Sequence, residues 1–527
     1  MPKKFHVTGT CIPEKNYMVD VSERLDTIVK DYIEEGSYFT INRARQYGKT
    51  TMLYLLERRL KERYVVIRIS FEAADELFVS LYALAAGLVR KISRILKMQQ
   101  VEEVVIAGWS QPISREFPLD DLGDRITELC QNVGKDIILM IDEVDKNSDN
   151  QVFLSFLGLL RNKYLAQQQG ADQTFKSVIL AGVYDIKNLK LKLHPQEESK
   201  YNSPWNIAAD FDIDMSFSRQ DIASMLKEYE KDYRTGMDIP LISGLLYDYT
   251  AGYPYLVSRM CQLVDEKITG TSEFPNRSKA WSREGISAAE MVLRKESNTL
   301  FDDMVKKLTE YPKLREVIQN ILFYGSSYPF NRENMLINLG LTFGFLKEES
   351  GTVVISNRIF ETKMYDWFLA DMAIDSDIYR EASMEKNQFI ISGMLQMKKV
   401  LEKFCDYFTE IYGSSEERFL EEQGRKLFLL FLKPIINGTG NYYIESRTRD
   451  QKRTDVIVDY KGHQFIIEMK IWRGNEYNRR GERQLFEYLD FYGQKTGYML
   501  SFCFNKNKKT GVHEICLDGK KIVEAVV

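Results

Sequence analysis

Two groups of residues in this 527-residue chain have the types and spacing that chemistry requires. In the first, the β-rich stretch Ser37 to Ile41 leads through Asn42 to Tyr47 into Gly48-Lys49-Thr50 and the apolar, helix-compatible run Met52 to Leu60. Strand, loop and helix start, in that order, make a phosphate cradle. The unpaired N–H groups and positive dipole end of the helix face an anion, Lys49 adds a mobile charge, and the Thr50 hydroxyl can hold Mg²⁺. Glycine at 48 lets the backbone approach the phosphates closely. Arg45, Gln46, Tyr47, Gly48, Lys49, Thr50 and Thr51 are the candidate contacts, and Arg43 stands where the pattern G-x-x-x-x-G-K-[ST] has its first glycine. A second signal supports the first: Asp136 to Asp145 is an apolar strand that ends in adjacent carboxylates. That strand is expected to lie beside the loop, with Asp142 orienting the waters of a Mg²⁺ ion and Glu143 polarising the attacking water. Together the two point to a nucleoside triphosphate site.

The second group is Asp455, then Glu468-x-Lys470 after thirteen positions, then Gln484 on a following helix. Side chains alternate faces along a strand, so Glu468 and Lys470 point the same way and can meet Asp455 from the adjacent strand. Two carboxylates facing one cleft invite a divalent cation, Mg²⁺ or alternatively Mn²⁺. The cation can bind a phosphodiester oxygen and activate water, while Lys470 stabilises charge or aids deprotonation of the water. A surface Asp and an amphipathic edge strand produce the same letters by chance. Against chance, Glu468 directly follows the apolar run Phe465-Ile466-Ile467, which has no folding reason to carry an inward charge. Arg447, Arg449, Lys452, Arg453, Arg473, Arg479, Arg480 and Arg483, interleaved with Tyr442, Tyr443, Trp472 and Tyr477, could rim a nucleic-acid groove.

The elements that must position these groups follow from periodicity. Tyr17 to Glu35 reads as a helix, Tyr64 to Ser70 as a buried β-branched strand, Leu77 to Lys97 and Asp120 to Gly134 as helices, Val152 to Gln168 as a helix and Ser177 to Val183 as a strand. This alternation predicts a doubly wound α/β sheet with its site at the strand C-termini. Phe217 to Ile268 is helical. Leu314 to Tyr324 and Asn331 to Leu339 read as short helices before two strands turning at Ser350-Gly351 and a helix from Arg358 to Ala370. Ile378 to Tyr412 reads as a charged helical connector, Glu416 to Leu432 as an amphipathic helix, and Asn441 to Ile471 as a strand meander. Gly481 to Tyr492 is then helical, and Tyr498 to Phe504 is a strand.

Composition bounds the classes. A chain of 527 residues exceeds one core and predicts several domains. A net charge of −4 argues against a globally basic nucleic-acid coat and leaves room for a local basic groove. The six cysteines include no C-x-x-C pair and the four histidines no ligand-spaced pair, so neither a disulfide framework nor a zinc site is indicated. No signal-peptide core and no membrane-length apolar run is present, which predicts a cytoplasmic protein with no membrane partner.

Residues from about Tyr38 to Met260 resemble the AAA-like ATPases allied to the signal-transducing STAND class. The motifs are Asn42 to Thr51, Ile141 to Asp145, Leu180 to Ile186, Ser203 to Ala208 and Gly252-Tyr-Pro-Tyr-Leu256. In that class the first glycine is frequently missing. The resemblance implies Gly252 and Pro254 near the nucleotide base, Tyr184 or Asp185 as a polar sensor of the γ-phosphate, and Arg161 or Arg259 at the phosphates. The following helix, helix and hairpin resemble a winged helix. The last domain resembles the PD-(D/E)XK nuclease superfamily, with Asp455, Glu468 and Lys470 in the motif positions. Gln484-x-x-x-Tyr488 fits the accessory motif of the RecB-like branch, Glu422 the first-helix acid, and Thr454 stands where proline is usual.

The fold expected is therefore a P-loop NTPase core (1–215), a helical lid (216–296), a winged-helix-like module (297–373), a helical connector (374–414) and a smaller α/β PD-(D/E)XK nuclease-like domain (415–527). The function expected is an ATP-dependent or ATP-gated, metal-dependent nuclease acting on nucleic acid, DNA in the first instance, in defence or mobile-element handling, with ATP and Mg²⁺ as cofactors. Self-assembly into a homo-oligomer is common in the resembled class. Two alternatives stand beside it: a regulatory ATPase switch whose last domain binds nucleic acid without cutting, and a nuclease controlled by a nucleotide that is bound and never hydrolysed.

Overall fold

The computed structural model describes residues 2–147, 151–184, 205–324, 326–374, 376–412, 421–436, 439–445, 454–471, 485–486, 489, 493–503, 509–517 and 519–527. They form two compact units. One contains Met1–Asp232, Gly252–Ser258 and Thr342–Gly344, and the other contains Tyr233–Ala251, Arg259–Leu341 and Phe345–Val527.

The first unit is built on four parallel strands, β1 (Phe39–Asn42), β2 (Val65–Ser70), β3 (Ile137–Asp142) and β4 (Ser177–Gly182), in the order β1-β4-β3-β2. Near-continuous apolar strands such as IILMI suit a sheet covered on both faces. Alternation divides them: Ile137, Leu139 and Ile141 enter one core, whereas Ile138 and Met140 enter the other. Helices α1 (Ser22–Ile28) and α2 (Lys49–Leu60) cover the second face. Helices α3 (Leu81–Met98), α4 (Glu103–Trp109), α5 (Pro118–Asn132) and α6 (Gln151–Gln168) cover the first. Within the sheet β4 pairs with both β1 and β3 and so lies between them. The helix expected over Tyr17 to Glu35 is only α1 plus a wide turn at Val29–Ile33, and α4 was not foreseen.

In the second unit helices lead to a small antiparallel sheet, β5 (Tyr328–Pro329), β6 (Leu346–Glu349) and β7 (Thr352–Ile355), ordered β5-β7-β6. The helix Arg358–Ile374 follows. The segment expected to be a continuous helical connector is interrupted by a hairpin, β8 (Ile390–Ile391) and β9 (Met394–Leu395), turning at Ser392 and Gly393, both with positive φ. Local apolar periodicity could not register a two-residue strand pair.

The chain ends in a six-stranded mixed sheet with the order β10-β11-β12-β13-β15-β14: β10 (Gly440–Glu445), β11 (Thr454–Tyr460), β12 (His463–Ile471), β13 (Thr496–Phe502), β14 (Gly511–Leu517) and β15 (Lys520–Val526). The β12–β13 and β13–β15 pairs are parallel, the rest antiparallel. The helix Glu421–Ile436 packs on this sheet, and Gly424 is needed there because a Cβ would lie 2.3 Å from the Phe502 ring. The strands β14 and β15 were not anticipated.

Candidate functional site

The end of β1 and the start of α2 form a tight loop. Gly48 caps α2 with φ +82°, a left-handed backbone that glycine adopts without strain, and Gln46 has φ +57°. Lys49 is buried, and its ammonium donates to the carbonyls of Arg43 (2.8 Å) and Ala44 (2.9 Å). Burial pushes the Lys49 ammonium below its ordinary value, while the carboxylates of Asp145, Glu143 and Asp142 pull it back up. The Thr50 hydroxyl, in the first turn of α2, donates to Asp142 Oδ2 at the end of β3 at 2.7 Å, although β4 lies between β3 and β1, the strand that leads into α2. Glu143 follows in a left-handed backbone, φ +56°, with its N–H on Asp142 Oδ1 at 2.9 Å. Thr50, Asp142 and Glu143 are thus brought together at the C-terminal edge of the sheet. The Thr51 hydroxyl accepts the N–H of Cys11 at 3.1 Å, so it ties the N-terminal segment to α2.

Arg43 explains the missing first glycine. Its guanidinium donates to the carbonyls of Ile213 (2.7 Å) and Asn42 (2.9 Å) and lies 5.4 Å from the Phe211 ring centre. The side chain therefore braces the loop against a segment some 170 residues away. Tyr47 bonds Ser216 Oγ at 2.9 Å and packs edge-on against Tyr253 at 4.7 Å, while the Tyr253 hydroxyl donates to the Arg45 carbonyl.

This places Gly252-Tyr253-Pro254 against the loop, with Tyr253 a contact the sequence reading passed over although it lies inside a quoted motif. Gly252 has φ +74°, and a Cβ there would sit 2.0 Å from the Phe217 carbonyl oxygen. Pro254 opens the helix Pro254–Leu263. At the end of β4, a Cβ on Gly182 would sit 2.5 Å from Asp145 Oδ1, which accepts the Val183 N–H at 3.0 Å.

Tyr184 packs edge-on against Phe343, and Asp185 lies outside the described residues. Arg161 sits half-buried on α6. Arg259 belongs to the second unit, where it is committed to Glu296 (2.5 Å) and Gln262 (2.6 Å).

The second group lies on the last sheet. Val456 pairs with Ile467, so Asp455 and Glu468 adjoin that pair on neighbouring strands. Glu468 and Lys470 are 6% and 4% exposed, an unusual burial for charges two residues apart on a strand. Lys470 pairs with Ser501, Glu468 with Met499, and Met499 with Glu524, so these residues share one face. Ser501 donates to Glu524 Oε1 at 2.8 Å, and Glu524 is itself buried. Glu524 was missed because nothing in the sequence foretold that β15 pairs parallel to β13. The side chains of Asp455 and Glu422 and the whole of Gln484 lie outside the described residues. Among the described residues no cluster of three or more metal-binding side chains forms, and all six cysteines are free.

A parallel sheet with a lysine-bearing loop at its edge and a hydroxyl–carboxylate pair beside it defines an ATPase-like, phosphate-binding module of the P-loop kind. The chain belongs to the AAA-like domain family, which matches residues 14–363. Similar solved structures include the Walker-type ATPase of Pyrococcus abyssi (14% identity, TM-score 0.46, covering 68% of this chain and 99% of that one). Others are the ORC2 protein of Aeropyrum pernix in ADPNP–ADP complexes (13%, 0.38, 68% and 97%) and the RuvB Holliday junction branch migration motor of Thermotoga maritima (12%, 0.33, 67% and 96%). No curated protein matches the chain. Among the described residues no helix is long and apolar enough to cross a membrane.

Proposed function

We propose that this protein is an ATP-gated, metal-dependent nuclease acting on DNA. The observation that carries the ATPase half is the Thr50–Asp142 hydrogen bond of 2.7 Å beside a buried Lys49. These residues fit Mg-ATP. The Lys49 ammonium, now held on loop carbonyls, can turn to a phosphate, and Thr50 with Asp142 can hold the ion or its waters. When bound, the ion neutralises charge on the phosphates. Glu143 would polarise the attacking water, and Gly252 and Pro254 would lie near the base.

The nuclease half rests on Glu468 and Lys470, buried side by side on a strand next to the one bearing Asp455. Burying a carboxylate and an ammonium costs several kcal/mol unless they are paired or put to use. Asp455 and Glu468 would hold Mg²⁺ or Mn²⁺, with Glu422 and Gln484 as accessory groups, and Lys470 would stabilise charge at the attacked phosphate. Helices and a three-stranded wing (297–373) join the ATPase to this domain in the order of a winged-helix module.

The test is cleavage of labelled single- and double-stranded DNA and RNA with Mg²⁺ or Mn²⁺, with and without ATP. Divalent-dependent cutting of DNA that disappears in Asp455→Ala and Lys470→Ala is the expected result. No cutting of any substrate by a protein that hydrolyses ATP would replace this reading with a regulatory switch.

A further inference from the structure

Helix α3 carries two faces. Leu84, Leu88, Ile92 and Leu96, four residues apart, are buried in the core beneath β2. The outer face bears Arg90, Arg94 and Lys97, one stripe rising about 6 Å and then about 4.5 Å along the axis. Charged outer faces are ordinary, but this one is concave. Between α3 and the segment Ser110–Ile113 lies a groove of about 600 Å³.

None of the twelve residues lining that groove is acidic. The side chains of Arg90, Arg94 and Lys97 form no hydrogen bond or ion pair among the described residues, whereas other cations of this unit, such as Lys163, Arg24 and Arg125, are paired with carboxylates. At one end Tyr82 is 36% exposed, with the Arg115 guanidinium 5.4 Å from its ring centre. At the other end Met98 is 79% exposed. In the sheet order, β2 is the strand furthest from β1, so the groove is separate from the phosphate loop.

We infer that this groove is a binding site for single-stranded nucleic acid. A row of cations with no partner among the described residues matches a row of phosphates, and their spacing suits successive anions along an extended backbone. The exposed Tyr82 ring offers a face for a base to stack on, with Arg115 adding a cation to the stack. An acidic polypeptide satisfies the charges but gives no account of the exposed aromatic ring beside a guanidinium.

The experiment measures binding of a fluorescein-labelled 20-nucleotide oligo(dT) to the full chain across a salt series, with divalent ions chelated so that the result does not depend on cutting. In the triple variant Arg90→Ala/Arg94→Ala/Lys97→Ala, affinity is expected to fall at least about tenfold, and the slope of log K against log salt to shrink by about 2, near 0.7 for each lost contact. Tyr82→Ala should weaken binding about tenfold with the slope unchanged. A Gln triple variant, kept if it unfolds at the wild-type temperature, guards against misfolding. Wild-type affinity and slope in the triple variants would overturn the assignment. So would displacement of the probe by polyglutamate at lower concentration than by unlabelled oligo(dT), which would assign the groove to an acidic protein segment.

Discussion

At the scale of single residues, Arg43 decides how the phosphate loop is held. Where the usual pattern has glycine, this chain has a guanidinium donating to the Ile213 and Asn42 carbonyls. Its role is therefore mechanical. Arg43→Gly is expected to lower stability by about 1–3 kcal/mol through the lost charge-assisted bonds while leaving ATP-analogue affinity within about threefold. Thermal unfolding and a fluorescent-analogue titration check both halves, and loss of binding at unchanged stability would show that Arg43 contacts the nucleotide instead. That Gly48, Lys49, Thr50, Asp142 and Glu143 lie together was legible in the sequence because each sits in a local loop or ends a recognisable apolar strand. Arg43's brace, Tyr253's contact with the Arg45 carbonyl and Glu524's place beside Ser501 were not. Each depends on a partner brought in by tertiary structure from 23 to 208 positions away.

At the scale of elements, strand alternation foretold the parallel sheet and both of its cores, whereas order within the sheet was beyond it. Residue patterning says which strands are buried on both faces, not which strands are neighbours. The turn between β11 and β12 shows what an element asks of one side chain. Lys461 and Gly462 both have positive φ, and Asp459 accepts the Gly462 N–H at 3.1 Å. Burial raises the Asp459 carboxyl above its ordinary value, opposed by that N–H and by Arg358, Arg283 and His463. The folded state therefore holds the Asp459 proton more tightly than the unfolded chain does. The resulting stability is present below the unfolded value and is lost as pH rises through the raised one. Asp459→Asn keeps an acceptor for Gly462 and never ionises. Its unfolding temperature should exceed that of wild type near neutral pH and converge with it as pH falls through the carboxylate range. A variant less stable than wild type at neutral pH would contradict this.

At the scale of the whole molecule, the last sheet and the helix Glu421–Ile436 packed on it are joined to the helices that precede them. Arg294 donates to the Gly440 carbonyl at 3.1 Å, Lys433 to that of Asp366 at 2.9 Å and Arg425 to that of Phe323 at 3.2 Å, and Tyr365 packs edge-on against Tyr442. A displacement of the helices Arg283–Lys295 or Arg358–Ile374 would therefore be felt at β10 and β11, the strands leading to Asp455. The chain passes between the two units at 232/233, 251/252, 258/259, 341/342 and 344/345, and the short return 252–258 carries Gly252 and Tyr253 to the phosphate loop.

The central claim is that the loop binds and hydrolyses ATP, and it is tested most directly by phosphate release and nucleotide binding in wild type, Lys49→Ala and Glu143→Gln with Mg²⁺ present. The account predicts turnover by wild type and binding weakened by about a hundredfold in Lys49→Ala. Glu143→Gln should bind normally and turn over about 10² to 10⁴ times more slowly. Undiminished binding by Lys49→Ala, or wild-type turnover by Glu143→Gln, would contradict it.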